Sequence, residues 1–275
     1  MKEEARAALT EYLARHPQET SVLARLVNQL ATDAGDMADR GNMLGHFTAS
    51  ALVLNAAETH VLFINHLVLQ RWLQPGGHVE ADDSLWAAAI REVLEETGVE
   101  NIVSLLMAGG RPIALDIDTH TIDANPKKGE GPHFHHDFMF LAKAPENAVL
   151  TPQLAEVGGV KWLPLAEAAQ LPNRRLKRVM AKLQEQLDAK FAEKLARVQS
   201  IVNRKVTVTG AAQGLVDKVV SGLCTSVVAT HERHVDVVLD KRLHFGLCLD
   251  EISDTQVSGR VMSLSPFIRT VQVAQ

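Results

Sequence analysis

Cysteine is nearly missing from this 275-residue chain: Cys224 and Cys248 are its only two. They are too few and too far apart to suggest a disulfide framework or a zinc site. No apolar run approaches the length needed to span a bilayer. The first residues, MKEEARAALTEYLARH, contain no apolar signal-peptide core. A reducing, cytoplasmic setting with no membrane partner is therefore expected. Positive charge is not in excess either. A net charge of -5 and a pI near 6.2 give no whole-chain attraction to nucleic acid. Any anionic substrate must be held by local basic groups or by bound metal.

What is present is an ordinary globular composition, 46% hydrophobic and 22% charged. The length suits one large domain, or one mid-sized domain with additions. Residues 3–15 and about 20–33 carry helical spacing of Ala, Leu and Val, with Thr20 or Ser21 as N-cap for the second helix. The loop-like stretch 33–45 separates this helical pair, a 1–45 extension, from the remainder of the chain. From His46 the pattern turns to short β-rich runs, FTASALVLN and HVLFINHLVL. NIVSLLMA, PIALDIDTH, HDFMFLAKA and GGVKWLPL follow farther on. The segment DANPKKGEGPHFH between two of them reads as a loop. Residues 173–200 read as one long helix with eight basic and three acidic residues, a run read as a solvated face. The segment 201–275 has alternating stretches that hint at strands but carries no motif or repeat, so its structure stays open.

The chemistry concentrates in GHVEADDSLWAAAIREVLEETGV, Gly77 to Val99. Asp82, Asp83 and Ser84 offer N-cap chemistry for a helix over about 84–97, which Gly98 ends as a left-handed residue. Glu92, Glu95 and Glu96 then share one face within a single turn. Like charges at that spacing repel, and a bound cation answers the repulsion. Oxygen ligands alone suit Mg²⁺ or Mn²⁺ better than zinc. Trp86, Ala89, Ile90, Val93 and Leu94 form the opposite, apolar side. Arg91 lies at the border, placed to orient a carboxylate. Pro75-Gly76-Gly77 lets backbone approach closely, so a carbonyl at Gly77 could join the metal shell.

These residues resemble the Nudix box, G-x5-E-x7-R-E-U-x-E-E-x-G-U with U a bulky aliphatic. Gly77, Arg91, Glu92, Val93, Glu95, Glu96, Gly98 and Val99 match, and Asp83 stands where the family has Glu. The likeness extends over about 46–172. It implies an α/β/α sandwich on a mixed sheet, with an N-terminal helical extension and a C-terminal extension of unknown structure. It implies Glu92, Glu95 and Glu96 as metal ligands and Asp83 as a supporting acid near Arg91. The implied reaction is metal-dependent hydrolysis of a pyrophosphate bond in a nucleoside diphosphate linked to another group, with a small-molecule nucleotide as substrate. The family is frequently homodimeric, so a homodimer is an expectation. Glu156, just before GGVKWLPL, is favoured over Glu130 as general base.

Arg71, His78, Lys127 and Lys128 are further candidates for substrate contact, although solvated lysines are common in Gly/Pro-rich loops. His133 and His135 would share one side of a strand. With no fourth ligand evident, they and His136 are read as surface or substrate-contact residues in preference to zinc ligands. The alternative function is a non-hydrolytic nucleotide-binding or regulatory module on the same scaffold, which would not need all three glutamates. A Nudix-type isoprenoid isomerase is set aside, because that family relies on a catalytic cysteine within the domain and residues 1–223 contain none.

Overall fold

A computed structural model describes residues 1–126, 129–153 and 157–200, and within the tail 202–203, 205–212, 215–229, 234–241, 243–248, 262–264 and 269–273. Two compact units are distinguished, Met1–Lys182 and Leu183–Gln275.

The first unit begins with α1 (Lys2–Arg15), a short 3-10 turn (Pro17–Glu19) and α2 (Ala24–Thr32). The second helix starts later than its spacing suggests. Thr20 closes the preceding turn by donating to the Pro17 carbonyl, and Leu23 takes the N-cap position with no side-chain cap. β1 (His46–Leu54), β2 (His60–His66), β3 (Arg71–Leu73) and β4 (Gly76–His78) come next, then α3 (Leu85–Thr97). Three two-residue strands succeed it, β5 (Val103–Ser104), β6 (Met107–Ala108) and β7 (Arg111–Pro112). β8 (Ala114–Ile122), β9 (His133–Lys143), β10 (Val157–Pro164), α4 (Leu165–Ala168) and α5 (Arg174–Gln199) complete the order. α5 continues past the unit boundary.

The main sheet runs β10-β2-β1-β9-β5, with β3, β4 and β8 paired on β2, β1 and β9. The β1–β9 pair is parallel and its neighbours are antiparallel, so the sheet is mixed. All nine residues of β1 are buried, as expected of a central strand covered on both faces. One face carries Phe47, Ala49, Ala51, Val53, Phe138, Phe140 and Ala142, which join Ala88, Ala89 and Val93 of α3 in the core. Phe47 meets Phe138 edge-on at 5.8 Å, and Trp86 meets Phe140 at 5.5 Å. That core also takes Ala5, Leu9 and Tyr12 of α1 and Leu26 and Leu30 of α2. The N-terminal helices are thus built into the domain.

The opposite face carries a polar patch beside buried Leu52, Leu54, Met139 and Leu141. Asp137 accepts from Thr48 at 2.9 Å and Ser50 at 2.6 Å, and Arg175 of α5 pairs with it at 2.8 Å. Helices on both sides of a mixed sheet give the α/β sandwich expected from the box. α5 departs from the solvated face read in its charges. Arg175, Arg178 and Lys182 all bond to Asp116, which is fully buried, and Arg178 also reaches Asp118. Lys182 pairs with Glu19 at 2.7 Å and contacts the Tyr12 hydroxyl. Burial opposes ionisation of Asp116 and Asp118, yet the two guanidinium groups hold both carboxyls below the usual aspartate range. Charge pattern alone hides this role of the basic run, because its partners lie far away in sequence.

In the second unit, β11 (Lys205–Ala212), β12 (Leu215–Ala229), β13 (His234–Leu239), β14 (Leu243–Cys248), β15 (Met262–Leu264) and β16 (Arg269–Val273) form an antiparallel sheet ordered β14-β13-β12-β11-β16-β15.

Candidate metal centre and active site

α3 is fixed at both ends by its own residues. Ser84 accepts the Ala87 N–H at 3.0 Å, and Gly98 caps the C-terminus at φ 73°. Between them the helix turns Glu92, Glu95 and Glu96 to one side, as their spacing requires. The buried stripe is Leu85, Ala88, Ala89, Val93, Glu96 and Thr97. It is rotated from the apolar side expected from the sequence: Leu94 is exposed, and Glu96 lies 8% accessible at the boundary with the core.

The glycine entry meets these acids directly. Gly76 donates its N–H to Glu96 Oε2 at 2.9 Å. A methyl group at Gly77 would sit 2.4 Å from Glu92 Oε1, so only a bare backbone leaves that carboxylate its place. Arg91 gathers the rest. Its Nη1 donates to Glu92 Oε1 at 3.0 Å and Glu95 Oε2 at 2.8 Å, and its Nη2 to the His78 carbonyl at 2.8 Å. Burial pushes the Glu92 carboxyl up despite Arg91 beside it, with Glu95 and Glu80 adding repulsion. Among the described residues, Arg91 is thus shared by Asp82, Glu92 and Glu95.

The acid that clamps Arg91 is Asp82, not Asp83. Asp82 grips the guanidinium with both oxygens at 3.1 Å and also accepts the Glu80 N–H at 3.0 Å. Burial alone would raise the Asp82 carboxyl, but Arg91 brings it below its ordinary value. Asp83, the supporting acid expected from the box, is exposed. Which of two adjacent aspartates turns inward depends on how the 79–84 loop folds onto α3, and spacing carries no sign of it.

The remaining candidates separate. Arg71 is exposed at the start of β3, and its side chain makes no hydrogen bond or ion pair among the described residues. His78 faces away from the acids, its ring 5.1 Å from His46 and 5.0 Å from His135. Glu156, Lys127 and Lys128 lie outside the described residues. Glu130 accepts from Arg40 at 3.0 Å.

His133 and His135, read as part of a loop, lie instead in β9 together with His136, and His133 and His136 are buried. His133 and His135 do share a side, their Nε2 atoms 3.3 Å apart. His136 turns the other way, its ring nitrogens 2.9 Å from Thr119 Oγ1 and Gln29 Oε1. Burial, with Arg25 nearby, pushes its pKa down to about 4. A pocket of about 390 Å³ lined by Asn55, His60, Glu146 and Trp162 contains none of the box residues.

The NUDIX domain family profile matches residues 45–184. A protein of Lactococcus lactis subsp. cremoris, named a probable DHNTP pyrophosphohydrolase, is 30% identical over 157 residues, 57% of this chain and 86% of that protein. A NUDIX-family hydrolase structure from Clostridium perfringens is 24% identical, covering 53% of this chain and 97% of its own, with a TM-score of 0.40. A C. elegans Ap4A hydrolase structure is 18% identical over 51% of this chain and 97% of its own, with a TM-score of 0.37.

Proposed function

Because this chain belongs to the NUDIX domain family and is a Nudix hydrolase, we propose that it cleaves the pyrophosphate bond of a nucleoside diphosphate linked to another moiety, with Mg²⁺ or Mn²⁺ held by Glu92, Glu95 and Glu96. The observation that carries this reading is the meeting of Glu92 and Glu96 with the bare backbone of Gly76-Gly77, with Glu95 of the same helical turn joined to Glu92 through Arg91. The donor set fits a hard divalent cation: it is all oxygen, and Gly77 leaves room for its own carbonyl to take part.

Nudix hydrolases generally use divalent metal ions, and such an ion supplies charge neutralisation at the pyrophosphate and a more acidic water. The protein's contribution is positioning. Arg91, clamped by Asp82, holds Glu92 and Glu95 at fixed separation, and the Gly76 N–H fixes one oxygen of Glu96. The raised proton affinity of Glu92 means that a proton competes with the cation there, so loading of the site would weaken as pH falls. Glu156, directly before β10, is the proposed base that accepts the proton of the attacking water, a role worth about 10²–10⁴-fold.

The test is hydrolysis with Mg²⁺ or Mn²⁺ across nucleoside triphosphates, ADP-ribose, nucleotide sugars, dinucleoside polyphosphates, NADH and DHNTP, the last taken from the name of the lactococcal relative. Glu96→Gln should lower kcat by about 10²–10³-fold, the scale for losing one charged group of a preorganised site. A variant that hydrolysed the preferred substrate at the parent rate would overturn the metal assignment.

A further inference from the structure

On the sheet face that carries Asp137, β1, β4 and β9 bring together imidazoles that the carboxylate chemistry does not use. We propose that His46, His78 and His135 form a second metal site, selective for a divalent transition ion of the zinc class and distinct from the carboxylate centre. One ring nitrogen from each lies within 4.8 Å of the others. Strand register makes the cluster: His46 is the direct parallel partner of His135, and His78 pairs opposite Thr48, two residues along β1 from His46.

The protonation pattern is that of ligands. His46 is 1% exposed, and its Nδ1 lies 3.3 Å from the Asn42 carbonyl, which can only accept. Nδ1 therefore carries the proton and Nε2 presents a lone pair. That Nε2 is buried with no hydrogen-bond partner among the described residues, although buried polar atoms are nearly always satisfied. A ring N–H given to a backbone carbonyl, with the other nitrogen left open, is how metal-bound histidine is oriented. His133 Nδ1 likewise lies 2.8 Å from a carbonyl, that of Gly131, so its Nε2 accepts from His135 Nε2 at 3.3 Å and leaves His135 Nδ1 as the open nitrogen of that ring. It acts as a positioning residue for the His135 ring.

His135 stands among His78, His46, His120 and His133, with ring centroids 4.7–5.6 Å away. Imidazole donors without carboxylate suit zinc, copper or nickel and not magnesium. With Zn–N bonds of about 2.0–2.1 Å, tetrahedral ligand nitrogens lie about 3.4 Å apart, so the rings need to draw in by roughly an ångström. His78 and His135 are half-buried and His120, 5.6 Å from His135, is exposed, so an ion can enter from solvent. An ion there would clip β4 to β1 and β9. His78 is the residue next to Gly77, which borders Glu92.

The experiment uses the full, untagged chain, stripped of metal and then loaded with Zn²⁺ or Co²⁺, and does not depend on any substrate. About one zinc per chain is expected to survive desalting, with tetrahedral-type visible absorption when Co²⁺ is bound. His78→Ala and His135→Ala should each weaken zinc by more than about 100-fold, beyond the range for losing an outer partner of a ligand. Glu96→Gln, which disables the carboxylate centre, should leave zinc affinity within about twofold. Circular dichroism checks that each variant is folded. Should the histidine variants not fold, ring ¹⁵N shifts of the unsubstituted protein decide: zinc moves His46, His78 and His135 together. No retained zinc, unmoved ring nitrogens, or zinc lost with Glu96→Gln and kept in the histidine variants would each overturn the site.

Discussion

Gly77→Ala is the sharpest probe of the carboxylate centre, because its structural effect is confined to one contact. Gly77 is not held at a positive φ, so alanine is tolerated by the backbone. Its new Cβ would stand 2.4 Å from Glu92 Oε1, 2.6 Å from Cδ and 2.7 Å from Oε2. An ordinary non-bonded approach is about 3.5 Å, so the carboxylate has to retreat by about 1 Å. The retreating atoms are the end of a side chain, not backbone, and rotation of Glu92 relieves the clash while partly breaking its bond to Arg91. Overpacking of about 1–3 kcal/mol is therefore mostly relieved, and the chain-entropy gain of about 0.4–1 kcal/mol offsets part of the remainder. Folding stability by urea denaturation should change by less than about 1.5 kcal/mol. Catalysis should not be spared: a misplacement of about 1 Å can cost about 10²-fold. The assay is kcat as a function of Mg²⁺ and Mn²⁺ concentration, with a weaker apparent metal affinity accompanying the loss. A variant with kcat within about twofold of the parent at every metal concentration would refute the reasoning, since Glu92 would then have no required position.

Asp82→Asn should weaken the grip on Arg91 by about 1.5–3 kcal/mol, the scale for hydrogen bonds to charged groups, and lower kcat by roughly tenfold or more. Asp83→Asn should stay within about twofold, and equal losses in the two variants would reverse the assignment. Asp116→Ala leaves Arg175, Arg178 and Lys182 facing an empty buried position, which should cost about 3–5 kcal/mol, read as a lower urea midpoint. Asp118 adds a pH signature. Its carboxyl is held below the ordinary value of 3.8 by His120 and the two arginines against the cost of burial. Its stabilisation is therefore full above that value and lost as pH falls below it. Acid unfolding of Asp118→Asn should be shallower than that of the parent in the range below about pH 4, and identical profiles would refute the contribution.

The parts of this site written within one helical turn are readable from spacing. Glu92, Glu95 and Glu96 share a face because 3.6 residues make a turn, and Ser84 and Gly98 mark the ends by cap chemistry that acts over a few residues. The parts decided by pairing at a distance are not. His46 becomes a neighbour of His135 only through the parallel register of β1 and β9, 89 residues apart at the Thr48–Asp137 bond. The basic run of α5 reads as solvent-facing because Asp116 is 59 residues from Arg175 and 66 from Lys182. Asp82 and Asp83 differ by one position in a loop, and only the loop's contact with α3 distinguishes them.

The buried ionic cluster also has a consequence in time. Tyr12 and Asp116 receive Lys182 from 170 and 66 residues farther along the chain. A nascent chain stopped at residue 172, the end of the Nudix-like segment read from sequence, would hold Asp116 with none of its three cations. A chain starting at residue 46 would lack Tyr12 and Glu19, the other partners of Lys182. The smallest fragment expected to fold is therefore 1–182. On the ribosome the unit cannot lock until its last turn of helix has cleared the exit tunnel, so completion of folding waits on the synthesis of α5.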